Sequence, residues 1–312
     1  MKKILLAVVL LVTGVVAWAN LFPAQFMSLA LESERGRNGL SEKTIVVDGE
    51  TWHYLEGGIG AGETVVMVHG FGGDKDNWTR FAGSITPEYH VISMDLPGFG
   101  ESARHDGWSY RLKDQRARLQ GFLQALGVER FHLVGNSMGG HLTALYTHGY
   151  PEQVITMGLF NNAGVRELEP SEMSKRRAKG ENPLVISSID EYDDLLDFVS
   201  VKEPWLPGPA KKYFAQRALD NAPFNSYIYE QYKNDRAAGL EPILADIKHP
   251  TLILWGDGDD VLDKSMVQVM TPLLENEQVV IMPETGHVPM AERPAETAAH
   301  YLAFIKQYSL SN

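Results

Sequence analysis

Ser137 stands within Gly135-Asn136-Ser137-Met138-Gly139, between an apolar run at 131–134 and a helical pattern at 141–150. A G-x-S-x-G segment between strand and helix holds its serine at a tight turn with the hydroxyl exposed. A serine hydroxyl is a poor nucleophile near neutral pH, so it needs a base, and the base needs an acid to orient it. His287 is the expected base, because it lies on a Gly/Pro-bounded loop, Pro283 to Pro289, directly after an apolar run. His69, His132 and His141 are expected to be structural. The acid is expected in Gly256-Asp257-Gly258-Asp259-Asp260; Asp259 is favoured, with Asp257 and Asp260 as alternatives and Asp263 close by. A calcium loop at Asp257-x-Asp259 is excluded, since Val261 and Leu262 stand where that loop needs a ligand and a glycine. Acyl transfer also needs donors for the developing oxyanion. The backbone N–H of Met138 and that of Phe71, in His69-Gly70-Phe71-Gly72-Gly73, are the expected pair.

The elements that must position these residues follow from the apolar pattern. Residues 44–47 and 52–55 read as a hairpin around Asp48-Gly49. Short Val- and Ile-rich runs at 64–68, 90–94, 131–134, 154–160, 251–255 and 278–282 suit strands buried on both faces. Helical patterns lie between them, as at 113–126, and this alternation implies an α/β fold with a mostly parallel sheet covered on both faces. Ser137, the aspartate cluster and His287 each follow a strand, which places all three at the carboxyl edge, where α/β sites form. The alternation stops at residues 161–246, where amphipathic stretches such as 195–199 and 213–219 suggest a helical cap. The expected division is therefore an anchor at 1–40, a core at 41–160 and 247–312, and a cap at 161–246.

The 312 residues carry a formal net charge of −12, which disfavours a nucleic-acid partner. There is no cysteine, so disulfides, thiol catalysis and zinc–thiolate sites are excluded. Met1-Lys2-Lys3 precedes an uncharged apolar run. Read as a retained anchor, it spans residues 4–22, about 28 Å of helix against a hydrocarbon core of about 30 Å. The alternative is a signal peptide cleaved near Ala19. The anchor is favoured, because Phe26, Met27, Leu29, Ala30 and Leu31 continue the apolar character past Pro23. In either case the two lysines place the N-terminus in the cytoplasm and the rest in a bacterial periplasm.

HGFGG (69–73), DLPGFGES (95–102), GNSMGG (135–140), WGDGDD (255–260) and GHVPMAERP (286–294) together resemble the α/β-hydrolase superfamily. HGFGGDKDNW followed by GNSMGG is similar to the family V bacterial lipases and esterases, and the N-terminal anchor resembles that of inner-membrane phospholipase A enzymes. The resemblance implies Ser137 as nucleophile, His287 as base, Asp259 as acid and Phe71 and Met138 as oxyanion donors. Relatives often carry proline four residues after the acid, where this chain has Asp263. It further implies a lipid ester substrate, a fatty acid product, no metal or organic cofactor, and a homodimer contact through the N-terminal helix.

The expected function is thus a serine carboxylic ester hydrolase of lipids, a phospholipase A, lysophospholipase or lipase. The alternatives are a small-ester esterase, a carbon–carbon bond hydrolase of ring-cleavage products, and a non-catalytic receptor for an acyl ligand. The Gly-Pro-Gly oxyanion loop usual in the carbon–carbon hydrolases is missing here. Lys175, Arg176, Arg177 and Lys179 form a basic cluster in the cap, expected to be a solvated helix face.

Overall fold

The computed structural model describes residues 1, 4, 13–15, 18–60, 62–203 and 206–309, apart from the side chains of 234 and 236–238. Eight strands form one sheet in the order β1-β2-β4-β3-β5-β6-β7-β8. Strands β1 (Leu40–Val47) and β2 (Glu50–Gly58) are antiparallel, and β2 is antiparallel to β4 (His90–Met94). The hairpin turn has Asp48 at φ 53° and Gly49 at φ 84°, the left-handed pair that an Asp-Gly turn supplies. From β4 onward every pairing is parallel, through β3 (Thr64–Val68), β5 (Phe131–Asn136), β6 (Val154–Phe160), β7 (Thr251–Gly256) and β8 (Glu277–Met282).

Alternation along β3 shows why these strands are apolar throughout. Val66 and Val68 join one core cluster, with Leu119, Phe122 and Leu142, whereas Val65 and Met67 join another, with Phe81, Tyr301 and Phe304. Successive side chains point to opposite faces, and both faces are covered. Helices Leu112–Ala125 and Met138–Gly149 cover the first face; Thr79–Ile85 and Pro294–Ile305 cover the second. The edge strands β1 and β8 are largely exposed along one side.

Register aligns the carboxyl ends of the central strands. Val68 pairs with Gly135, Asn136 with Phe160, Phe160 with Leu254, and Gly256 with Met282. The loops that begin at residues 69, 137, 161, 257 and 283 therefore leave the sheet at one rim. Between β6 and β7 the chain forms helices Glu172–Ala178, Glu191–Val199, Gly208–Ala238 and Glu241–Leu244, and among the described residues no strand. The third of these is 31 residues long, contains the amphipathic stretch 213–219 and carries Pro223 inside it.

The apolar stretch at 4–22, expected as an anchor, lies largely outside the described residues. Among the described residues no single helix is long and apolar enough to cross a membrane. Thr13–Leu21 and Pro23–Arg37 together reach that length and composition, with a bend of 112° between them. Helix Pro23–Arg37 is docked on the core: Arg35 bonds Asp76 at 2.6 and 2.7 Å and Glu42 at 2.5 Å. Leu21, Phe22 and Leu29 are exposed apolar side chains around it.

Candidate active site

Ser137 ends β5 and starts the helix Met138–Gly149, with φ 55° and ψ −118°. A non-glycine residue there is strained, and the surroundings must hold it. They do so through the Ser137 N–H, which donates to Phe160 O at 3.0 Å, and through its carbonyl, which accepts from His141 N and Ala163 N. A Cβ at Gly139 would lie 2.4 Å from the carbonyl oxygens of Val68 and His69, so only glycine lets the helix meet β3 this closely. A Cβ at Gly70 would lie 3.1 Å from the Ser137 Cβ, which shows how near the loop after β3 passes to the serine.

His287 follows β8 on the same rim and is 5% exposed. Its Nδ1 bonds Asp259 Oδ2 at 2.8 Å, its N–H donates to Val199 O, and its carbonyl accepts from Asn136 Nδ2 at 2.9 Å. Asp259 is fully saturated with donors: Oδ2 also accepts from Asn161 Nδ2 at 2.7 Å, and Oδ1 accepts from Val261 N and Leu262 N at 2.8 and 3.0 Å. The structure therefore separates Asp259 from its alternatives. Asp257 accepts from Glu284 N and clips two loops together. Asp263 accepts from Ser265 N at a helix start. Among the described residues Asp260 bonds no imidazole, and burial, with the adjacent Asp259 charge, raises its pKa above the ordinary carboxyl value.

Ser137, His287 and Phe71 line a single cavity of about 360 Å³, within the usual range for small-molecule sites. Met138 is buried at the first position of its helix, where backbone N–H groups have no intrahelical partner. Phe71 is fixed by edge-on contacts with Phe99 and Tyr229, at 5.8 and 5.5 Å. Leu195, Leu196, Phe214 and Leu184 supply apolar wall from the insertion, and Leu31 adds to it from the N-terminal helix.

The other histidines are held in framework contacts. His69 bonds Gly70 O through Nδ1 and accepts from Leu96 N, and burial lowers its pKa. His132 meets Thr156 and Glu63, and His141 packs on Gly164. In the basic cluster, Lys175 and Arg176 pair with Glu172 on their own helix, and Arg176 also covers the Phe198 ring at 4.9 Å. Glu42, His53 and Glu101 converge closely enough to suggest a cation site. Lys75 Nζ already lies 3.3 Å from Glu42 and 2.5 Å from Glu101 and supplies that charge.

Two residues that the sequence reading did not single out complete the site. Asn136 ties the strand before the serine to the backbone of His287, and Asn161 steadies Asp259 from the end of β6. Asn161 has φ 40°, a conformation that Asn tolerates better than most residues, and its place directly after a core strand was the available signal.

The family description for the alpha/beta hydrolase fold matches residues 63–294. Lipase 1 of Psychrobacter immobilis is 37% identical over 276 residues, 88% of this chain and 87% of that protein. Among solved structures, a membrane phospholipase A described as a bacterial virulence factor is 47% identical, covers 99% of both chains and has a TM-score of 0.90. A putative lipase from Acinetobacter baumannii is 28% identical, covers 90% of this chain and 96% of its own, and has a TM-score of 0.85. With the family matched over most of its length and a 37%-identical relative covering nearly all of it, this chain belongs to the α/β-hydrolase fold family.

Proposed function

We propose that the protein is a serine hydrolase of lipid carboxylic esters, releasing fatty acids through an acyl-enzyme. The observation that carries the reading is the buried His287–Asp259 bond at the wall of the cavity that also holds the left-handed Ser137. With Nδ1 committed to Asp259, Nε2 is the nitrogen left to take the Ser137 proton as the oxygen attacks the acyl carbonyl. Asp259 keeps the ring in that tautomer and stabilises the imidazolium that forms. The N–H groups of Phe71 and Met138 receive the oxyanion, and collapse of the tetrahedral intermediate expels the alcohol as His287 returns the proton. Water, deprotonated by the same imidazole, then frees the acid and restores Ser137.

Similarity to lipases and to a membrane phospholipase A supports lipid esters over small esters, as does the apolar wall. The similarity to a membrane phospholipase A supports a place at a membrane; on our reading residues 4–22 and the helix Pro23–Arg37 hold it there, Lys2 and Lys3 set the catalytic part on the periplasmic side, and the N-terminal helices form the homodimer contact.

The test is covalent labelling by a fluorophosphonate together with hydrolysis of diacyl phospholipids and p-nitrophenyl esters by the full-length protein. Ser137→Ala is expected to abolish labelling and to lower kcat by about a thousandfold or more. Turnover of small esters without fatty acid release from phospholipid would reduce the reading to a generic esterase; labelling that survives in Ser137→Ala would remove the nucleophile assignment.

A further inference from the structure

The cavity wall carries more charge than ester hydrolysis requires, and the charges are almost all matched. Glu34 pairs with Arg80 at 2.5 Å, Asp74 with Arg217 at 3.0 Å, and Asp76 with Arg35 at 2.6 Å. Arg104 is the remaining arginine of the wall, and among the described residues it forms no ion pair with a carboxylate. Its guanidinium donates to two neutral oxygens, Asn221 Oδ1 at 2.5 Å and Gly100 O at 2.9 Å. Five N–H groups are available to a guanidinium, so about three remain uncommitted. Phe224 faces it from the insertion helix, with the guanidinium carbon 5.8 Å from the ring centre.

A guanidinium in a half-buried wall is costly without a counter-charge, and arginine cannot escape that cost by losing its proton. Burial, and then the positive charge of Arg217, push the Arg104 pKa below its ordinary value, which reflects the same unsatisfied cation. Asn221 and Arg217 lie on one helix, Gly208–Ala238, one turn apart, so the two arginines approach the cavity from adjacent positions. The Arg217 charge is spent on Asp74. The Arg104 charge is not. An anion presented in the cavity would find a planar, bidentate donor there.

We propose that Arg104 is the anion subsite of this cavity and receives the phosphodiester of a glycerophospholipid whose acyl ester lies at Ser137. The inference rests on the ester-hydrolase reading above and makes it more specific. A glyceride with the same acyl chains fits the apolar wall equally well but leaves Arg104 without a counter-ion. Selectivity between the two therefore resides in this side chain.

The experiment compares diacyl phosphatidylglycerol with diacylglycerol of identical chains, each at fixed mole fraction in nonionic mixed micelles, using the full-length protein. The ratio of kcat/KM for phospholipid over glyceride is expected to fall by about tenfold to a hundredfold in Arg104→Gln, the range for losing a charge-assisted hydrogen bond. Arg104→Lys keeps the charge and is expected to retain more of the ratio. A ratio unchanged in Arg104→Gln, or a parallel loss on both substrates, overturns the proposal and leaves Arg104 as a strut to Asn221 and Gly100. On the wild-type protein, an ether-linked phosphatidylglycerol should inhibit p-nitrophenyl ester hydrolysis at a roughly tenfold lower mole fraction than the matching dialkylglycerol. Equal inhibition also overturns it, and needs no variant to fold. Failure of the broader reading is distinct: the wild type would then neither take up fluorophosphonate nor cleave any ester.

Discussion

The imidazole of His287 is oriented by one bond to Asp259, and three further donors hold the carboxylate that makes it. Val261 and Leu262 supply two of these from the backbone of the same turn, so only Asn161 can be removed by substitution. Asn161→Gly and Asn161→Ala both delete that donor, but glycine keeps the φ of 40° without strain. Both are expected to lower kcat about tenfold with little change in KM, and Asn161→Ala should unfold at the lower temperature of the two. Steady-state kinetics on a p-nitrophenyl ester and thermal melts would check this. Equal melting temperatures would show that the backbone conformation at 161 carries no strain. Ser137 and His287 were singled out by sequence because each follows a strand in a recognisable run of residues, and Asp259 as the favoured member of its cluster. Asn161 was not, because an asparagine after a strand has many ordinary uses and its partner is 98 positions away.

At the scale of elements, the helix Pro23–Arg37 is locked to the core by a chain of charges. Arg35 bonds Glu42 and Asp76, and Lys75, which is buried, bonds Glu42, Asp95 and Glu101. Burial of Glu42 opposes its ionisation, but the charges of Lys75 and Arg35 beside it outweigh that and bring its pKa from 4.5 to about 2. A depressed carboxyl stabilises the fold above its unfolded pKa, and that contribution is lost as pH falls from about 4.5 through about 2. Glu42→Gln should therefore be less stable than wild type at pH 7, and the gap should close on acidification through that window. Thermal unfolding of both proteins from pH 7 to pH 2 measures it; a gap that stays constant would mean that the charge at 42 is not what stabilises. The hairpin, the core strands and the helices between them followed from apolar periodicity and the Asp-Gly turn, because local sequence carries both. The full extent of helix Gly208–Ala238 was not legible, since Pro223 and its mixed polarity hide a single helix that tertiary contacts sustain.

For the molecule as a whole, the decisive feature is a cavity built from three distant parts of the chain. Leu31 comes from the N-terminal helix, Phe71 and Ser137 from the sheet rim, and Leu195 and Phe214 from the helices between β6 and β7. On the proposed function such a wall is expected to set the acyl length that fits, because each methylene excluded from an apolar pocket costs roughly tenfold in rate ratio. Leu195→Trp is expected to lower hydrolysis of long-chain p-nitrophenyl esters by about tenfold relative to the butyrate ester. A uniform loss across chain lengths would place Leu195 outside the acyl path.

The strands, the serine turn and the rim at which Ser137, the aspartate cluster and His287 were expected to meet were written in the sequence, because apolar period and glycine spacing are local properties that a short stretch determines. The choice of Asp259 among neighbouring aspartates, the help from Asn136 and Asn161, and the unmatched charge of Arg104 were decided only by tertiary structure. Each depends on which side chain from a remote segment reaches within 3 Å, and that distance is set by the packing of the entire fold.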